Sequence, residues 1–204
     1  MVSTINKKKE LIVKIADNLL RIYYYLDYIL TGKIFKKKNK VKKIIIINYG
    51  YLGDSILNVP LIKAIRNKFK DAKITMVVNP KFKNIWEDFK EVNNIVEYDC
   101  PWIRYNQRTK LRDIREYFKL IKKLKKQKFD LGIDSRGDLR NNMLLYHSGA
   151  KQRIGLELTG GSYFLTKKVK WKHQHEVENS LEIAKALNCN IKETIPKLNI
   201  KKKD

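Results

Sequence analysis

Hydrophobic positions in this chain follow two rhythms, and their alternation predicts the elements. Lys42 to Asn48 holds four consecutive isoleucines bounded by charge and a glycine turn, the mark of a strand buried on both faces of a parallel sheet. Gly50 and Gly53 make the turn that follows. Ser55 to Phe69 then places Ile56, Leu57, Leu61, Ile62 and Ile65 at helical spacing, with Pro60 in the early turns. Further strands are predicted over Lys73 to Val78, Asn94 to Tyr98, Leu131 to Asp134 and Gln152 to Gly155. Helices are predicted over Phe82 to Phe89, Thr109 to Lys126, Leu139 to His147 and Val177 to Leu187. Strands separated by helices imply βαβ units: an α/β fold with a Rossmann-like parallel sheet and helices on both faces. Chemistry in such a sheet collects beyond the carboxyl ends of the strands. Two segments lie there, the turn after the first strand and Asp134 to Arg140.

The first forty residues read differently. Leu11 to Leu30 is the longest apolar stretch, yet Lys14, Asp17, Arg21 and Asp27 interrupt it, so it fails as a membrane span of ~20 uncharged residues. Ile12, Ile15, Leu19, Ile22, Leu26 and Ile29 share one helical face, with Lys14, Asp17, Arg21 and Tyr28 on the other. This is an amphipathic helix preceding the domain, in which Asp17 and Arg21 stand at pairing distance on the polar side. Basic clusters flank it at Lys7, Lys8, Lys9 and at Lys36, Lys37, Lys38, and Tyr23, Tyr24, Tyr25 and Tyr28 suit a lipid headgroup region. An anchor on a bilayer surface and a helix docked on the domain, or on a second protomer, are equally good readings. Charges break the apolar segment and no small-residue cleavage site follows, so it is not a secretory signal. The organisation expected is a basic arm over 1–40 and a single domain over 41–204.

Composition changes this picture mainly through charge. The 204 residues include 45 Lys and Arg against 21 Asp and Glu, a net charge of +24. Residues 1–43 and 101–128 each carry +9, whereas residues 44–100 carry only +1, so the excess sits in the arm and one later helix. That helix holds Arg112, Arg115, Lys119, Lys122, Lys123, Lys125 and Lys126, either a solvated face or one drawn to anionic lipid or an acidic acceptor. Trp102, Tyr105 and Tyr117 lie near it without an RNA-recognition motif, so no specific nucleic acid is expected. A hydrophobic fraction of 43% with nine Gly and four Pro excludes collagen-like and wholly disordered chains. Two cysteines outside any CxxC pattern make a reduced, cytoplasmic chain the expectation.

The candidate chemistry is compact. GYLGDSILNVPL, from Gly50 to Leu61, lacks both the G-x-G-x-x-G spacing of a dinucleotide site and the G-K-[ST] ending of a P-loop. It offers glycine backbone that a ligand can approach, then Asp54 at a helix start. Asp54 reads as a helix N-cap on spacing alone, and as a general base for an acceptor hydroxyl on position. In IDSRGDLRNN, Ile133 to Asn142, Asp138 reads as a helix cap, while Arg136 and Arg140 are either solvent-facing or forked donors to a phosphate or carboxylate. His173 and His175 form an H-x-H and His147 sits in a helix, too little for a metal site, and no metal is expected.

Taken in order, these segments resemble glycosyltransferase family 9, the ADP-heptose:lipopolysaccharide heptosyltransferases. GYLGDSILNVPLIKAIRNKF after a hydrophobic strand is similar to the family's G-x-x-G-D turn and T-x-P-L helix. DAKITMVVNPKF and VNNIVEYD resemble its next two strands, FDLGIDSRGDLRNN its D-x-x-I-D-x-Q-G-x-x-[KR]-S segment, SGAKQRIGL its G-A-x-x-R-I-G, and HEVENSLEIAKALN the helix closing the first half. Asn48 stands where many members have Arg, Arg136 where Gln is usual, and Asn141 in place of a small Ser. The resemblance implies the N-terminal, acceptor-side half of a GT-B enzyme, with the donor-binding domain absent from these 204 residues and supplied by a second domain or a separate chain. It implies inverting transfer of a sugar from a nucleotide-sugar such as ADP-heptose, with no further cofactor, in lipopolysaccharide biosynthesis. By resemblance Asp54 is the base, and Gly50, Gly53, Arg136 and Arg140 face an anionic, lipid-linked glycan acceptor at the inner face of the cytoplasmic membrane. The alternative is a noncatalytic module that uses the same fold to bind membrane or another polyanion.

Overall fold

The computed structural model describes residues 7–31, 40–48, 50–101 and 110–197. Its centre is a six-stranded sheet in the order β3-β2-β1-β4-β5-β6, formed by β1 (Lys43–Asn48), β2 (Lys73–Val78), β3 (Asn94–Glu97), β4 (Leu131–Asp134), β5 (Gln152–Glu157) and β6 (Lys167–Lys170). Every pairing is parallel. The isoleucine run explains why β1 is central. Ile44 and Ile46 enter one core with Ile74, Met76, Leu131 and Ile133, while Ile45 and Ile47 enter a second core on the opposite face. Both faces of β1 are therefore sealed, as an uninterrupted apolar strand requires.

Helices cover both sides. The first core is closed by α3 (Val59–Lys68) and α7 (Glu176–Ala186), through Leu61, Ile62, Ile65, Leu181 and Ile183, and by Trp86 of α4 (Lys83–Glu87). The second is closed by α5 (Leu111–Lys125) and α6 (Leu139–His147), through Leu120, Ile121, Leu124, Leu144 and Leu145. Beyond shifts of one to two residues at several element ends, two features differ from the sequence reading. The helix expected over Ser55 to Phe69 is two helices, α2 (Leu52–Leu57) and α3, broken at Asn58 because Pro60 occupies the opening turn of α3 and has no amide to continue α2. The strand β6 was not expected at all. A single 3-10 turn, Ser162–Phe164, within residues 158–166 links it to β5, and only Val169 of its residues is buried.

The N-terminal helix α1 (Lys7–Thr31) is present, and it docks by the face opposite to its apolar stripe. Tyr24 is buried against the rings of Tyr146, Tyr163 and Phe164, with centroids 5.3, 6.0 and 5.6 Å away. Asp17 accepts from the Gly161 amide at 3.2 Å and from the Tyr163 hydroxyl at 3.0 Å. Arg153 stiffens the platform beneath, donating to the carbonyls of Phe164 and Ala150 and lying 5.3 Å over the Tyr146 ring. Docking on the domain, one of the readings of the helix, is observed. Ile15, Leu19, Ile22, Leu26 and Ile29 are left between 51% and 73% exposed. No described helix is long and apolar enough to cross a membrane.

Candidate functional site

The strand order reverses direction between β1 and β4, so the loops leaving these neighbours diverge and open a crevice at their carboxyl ends. Register aligns the exits: Ile47 of β1 pairs with Asp134 of β4, and the candidate segments begin directly beyond them. Asp54 is not the cap of α2. Tyr51 occupies that position without a side-chain bond, and Asp54 lies in the first helical turn. Its carboxylate points across the crevice, where Oδ2 accepts from Arg136 Nη1 at 2.9 Å. Both side chains remain accessible, 45% for Asp54 and 37% for Arg136.

Each half of the pair has its own support. On the β1 side, buried Asn48 accepts from Asn58 Nδ2 at 2.9 Å, and the same amide group donates to the Asp54 carbonyl at 3.2 Å. These bonds fix α2 against the end of β1. Gly50 is packed so closely that a Cβ there would lie 2.4 Å from Arg136 Nη1, so glycine is what lets the guanidinium pass over the turn to Asp54. Around Gly53 the same construction meets nothing within 4 Å, leaving that backbone open.

On the β4 side the organising group is Asp134, which sequence reasoning did not single out. Its fully buried carboxylate accepts from the amides of Arg136 at 3.3 Å and Gly137 at 2.9 Å, and from Asn141 Nδ2 at 3.0 Å. Burial pushes its carboxyl up to about 6, against the pull of those three donors. An aspartate closing an otherwise apolar strand was the available signal, since a buried charge needs a compensating role. Gly137 completes the turn at φ +66, where a Cβ would meet the Leu156 carbonyl at 2.7 Å.

Asp138 caps α6 as expected, accepting from the Arg140 amide at 2.9 Å. Arg140 folds back onto the same carboxylate, with Nη2 at 2.6 Å and Nε at 2.8 Å. Burial acts to raise the Asp138 carboxyl, but the Arg140 bond and charge hold it below the usual range. The structure thus brings together Gly50, Asp54 and Arg136, and pairs Arg140 with Asp138. Of the basic clusters, Lys7, Lys8 and Lys9 open the backbone of α1, whereas Lys36, Lys37 and Lys38 lie outside the described residues, as do Trp102 and Tyr105.

The histidines have structural partners. His147 Nδ1 lies 2.9 Å from the Tyr117 hydroxyl, His175 caps α7 by accepting from the Val177 amide, and His173 stacks edgewise on Trp171. Among the described residues no group of three or more His, Cys, Asp or Glu is arranged to hold a metal ion. A separate open cleft of about 530 Å³ runs between the end of β3 and α5, lined by Glu97, Asp99, Arg112, Glu116, Lys119 and Lys123 among others. None of the predicted site residues lines it.

Comparison with known proteins follows the same lines. No curated protein matches the sequence. The fold is that of E. coli heptosyltransferase WaaC with ADP-2-deoxy-2-fluoro heptose, at a TM-score of 0.62 and 19% identity over 76% of this chain and 51% of that one. The crystal structure of the glycosyl transferase family 9 from Veillonella parvula DSM 2008 matches at 0.65 and 19%, over 81% and 46%. E. coli ADP-heptose lps heptosyltransferase II matches at 0.63 and 16%, over 78% and 47%. The chain therefore spans about half the length of the solved structures it matches. Residues 117–204, which include the Asp134 to Arg140 turn, match the family model of Glycosyltransferase family 9 (heptosyltransferase). Over residues 117–204 the chain thus matches the model of glycosyltransferase family 9, and its fold is similar to about half of each of these solved structures.

Proposed function

We propose that this chain is the acceptor-binding half of an inverting glycosyltransferase that moves a sugar, heptose from ADP-heptose, onto an anionic lipopolysaccharide-core or related glycan. The observation that carries the reading is the accessible Asp54–Arg136 pair at the β1/β4 reversal, where this kind of sheet places its ligand. Asp54 takes the proton of the acceptor hydroxyl. The freed oxygen attacks the anomeric carbon, the bond from that carbon to the diphosphate breaks, and ADP leaves with the bonding electrons. Arg136 then has two partners to choose between, the Asp54 carboxylate and an acid group of the acceptor. Arg140, bonded to Asp138 at the start of α6, supplies a second guanidinium four residues along the chain, and the open backbone at Gly53 admits the sugar, whereas Gly50 is covered by Arg136. The donor is held by a second unit, a further domain or a separate chain, and the acceptor's lipid places the reaction at the inner face of the cytoplasmic membrane.

The test pairs this chain with a donor-binding half of the family, ADP-heptose and a lipopolysaccharide-core acceptor, and measures sugar transfer. Transfer abolished by Asp54→Ala, with acceptor binding weakened by Arg136→Ala, is the expected result. Undiminished transfer by Asp54→Ala removes the base. The second reading, a noncatalytic module for membrane or another polyanion, is favoured by the exposed stripe of α1 and the basic face of α5. It takes over if acceptor and donor are never turned over while anionic surfaces are bound.

A further inference from the structure

The exposed apolar residues of α1 do not end at that helix. Tyr23, on its flank between Leu19 and Leu26, meets His147 edge-on at 6.4 Å, and His147 in turn is bonded to Tyr117 of α5. Beside Tyr117, with ring centroids 6.1 Å apart, stands Phe118, 63% exposed. Leu111 and Ile114 share its side of α5 and are also exposed. Helical spacing sets Arg115 and Lys122 among these three, so apolar and basic groups alternate on the outward surface of α5. Asp113, one of the two acidic residues of α5, is buried at its start, bonded to the Lys110 amide. Both helices lie over the same face of the sheet, α5 directly and α1 on top of α6 through Tyr146.

We propose that α1 and α5 form one composite surface that rests on an anionic lipid bilayer, with α1 lying in the interface plane and α5 beside it. The proposal rests on the membrane-surface part of the function proposed above and adds a second element and an orientation to it. Charge selects the occupant. A second copy of this chain would set the arginines and lysines of one α5 against those of another, whereas anionic headgroups neutralise them while the acyl region accepts Ile15, Leu19, Ile22, Leu26 and Phe118. The rings of Tyr23 and Tyr25, about half exposed, sit where headgroups would lie. Docking α1 through Tyr24 and Asp17 fixes which way this surface faces, so the domain meets the membrane in one orientation.

The experiment is flotation of the full chain with phosphatidylcholine vesicles and with vesicles containing 30% phosphatidylglycerol. The variants are Leu19→Asp/Leu26→Asp and Ile114→Asp/Phe118→Asp, whose positions are exposed, and thermal melts verify that they fold. The wild type should float with the anionic vesicles, and each variant should lose at least tenfold of that binding. If the wild type fails to bind anionic vesicles, both the membrane-surface reading and this inference fall. If the wild type binds and the α5 variant binds equally, the composite surface is overturned and the arm alone suffices. A wild type that sediments as a dimer, made monomeric by the α1 variant, assigns the face to a second copy and also overturns it. Sugar transfer enters none of these readouts, so failure of the Asp54 chemistry is seen separately.

Discussion

Asp54 and Arg136 are 82 residues apart in the chain and 2.9 Å apart in space, joined across the crevice between the first and fourth strands. Accessible pairs of this kind contribute little to folding, ~0–1 kcal/mol.

Asp54→Asn and Arg136→Ala should each leave the free energy of unfolding within about 1 kcal/mol of wild type. In the reconstituted transfer assay Asp54→Asn should fall by about 10²-fold or more. Urea titration and initial rates on the same samples check both halves of this expectation.

Gly50→Ala should act through Arg136. The new Cβ would fall 2.4 Å from Nη1, the mobile end of a flexible side chain, so the guanidinium swings off Asp54 while the backbone stays. Acceptor binding should weaken as much as in Arg136→Ala, and the double variant should be no worse than either single one. Additive losses in that cycle would mean that the two positions act independently.

Asp134 should leave a signature in the pH dependence of stability. Its carboxyl ordinarily titrates at 3.8 and is pushed up to about 6 by burial, so the folded chain binds this proton more tightly than the unfolded one. The resulting stability is complete below the unfolded value and is lost as pH rises through about 6. Asp138 and Asp130, both held below the usual carboxylate range, act in the opposite sense and lose their contribution only in more acid solution. Asp134→Asn should flatten the limb between about pH 4 and 6 without altering the acid one, as read by urea unfolding across that range.

Tyr24→Ala should undock α1. Removing a buried aromatic costs ~3–5 kcal/mol in a core, and here the loss falls on one peripheral helix. Hydrogen exchange should accelerate in residues 15–29, while the amides of β1 and β4 remain protected.

The fold was legible where local pattern and tertiary role coincide. The bounds of β2, β4 and α6 agree with the expectation from hydrophobic rhythm, since their neighbours on both faces are apolar. Rhythm failed in three places for identifiable reasons. Strand β6 reads as lysines because it lies at the margin of the sheet and buries only Val169. Pro60 was visible, but that it would start a new helix after Asn58 depended on the Asn48–Asn58 bond. In α1 the aliphatic stripe was the strong signal, yet Tyr24 and Asp17 carry the docking, because a cluster of rings was waiting on α6 and the turn after β5. The candidate site was legible as two loops but not as a pair, because what joins Asp54 to Arg136 is the adjacency of β1 and β4, a fact of topology that no local spacing records.

The lysines of β6 have one more consequence. As an outermost strand it offers backbone groups that another molecule's strand could extend, yet Lys167, Lys168 and Lys170 are all exposed along it, Lys167 donating to the Ala186 carbonyl and Lys168 pairing with Glu157. Ammonium groups fence that rim by mutual repulsion, which dissolved salt weakens. Concentrated solutions of the chain should therefore stay monodisperse at low ionic strength and begin to self-associate through this rim as salt is added.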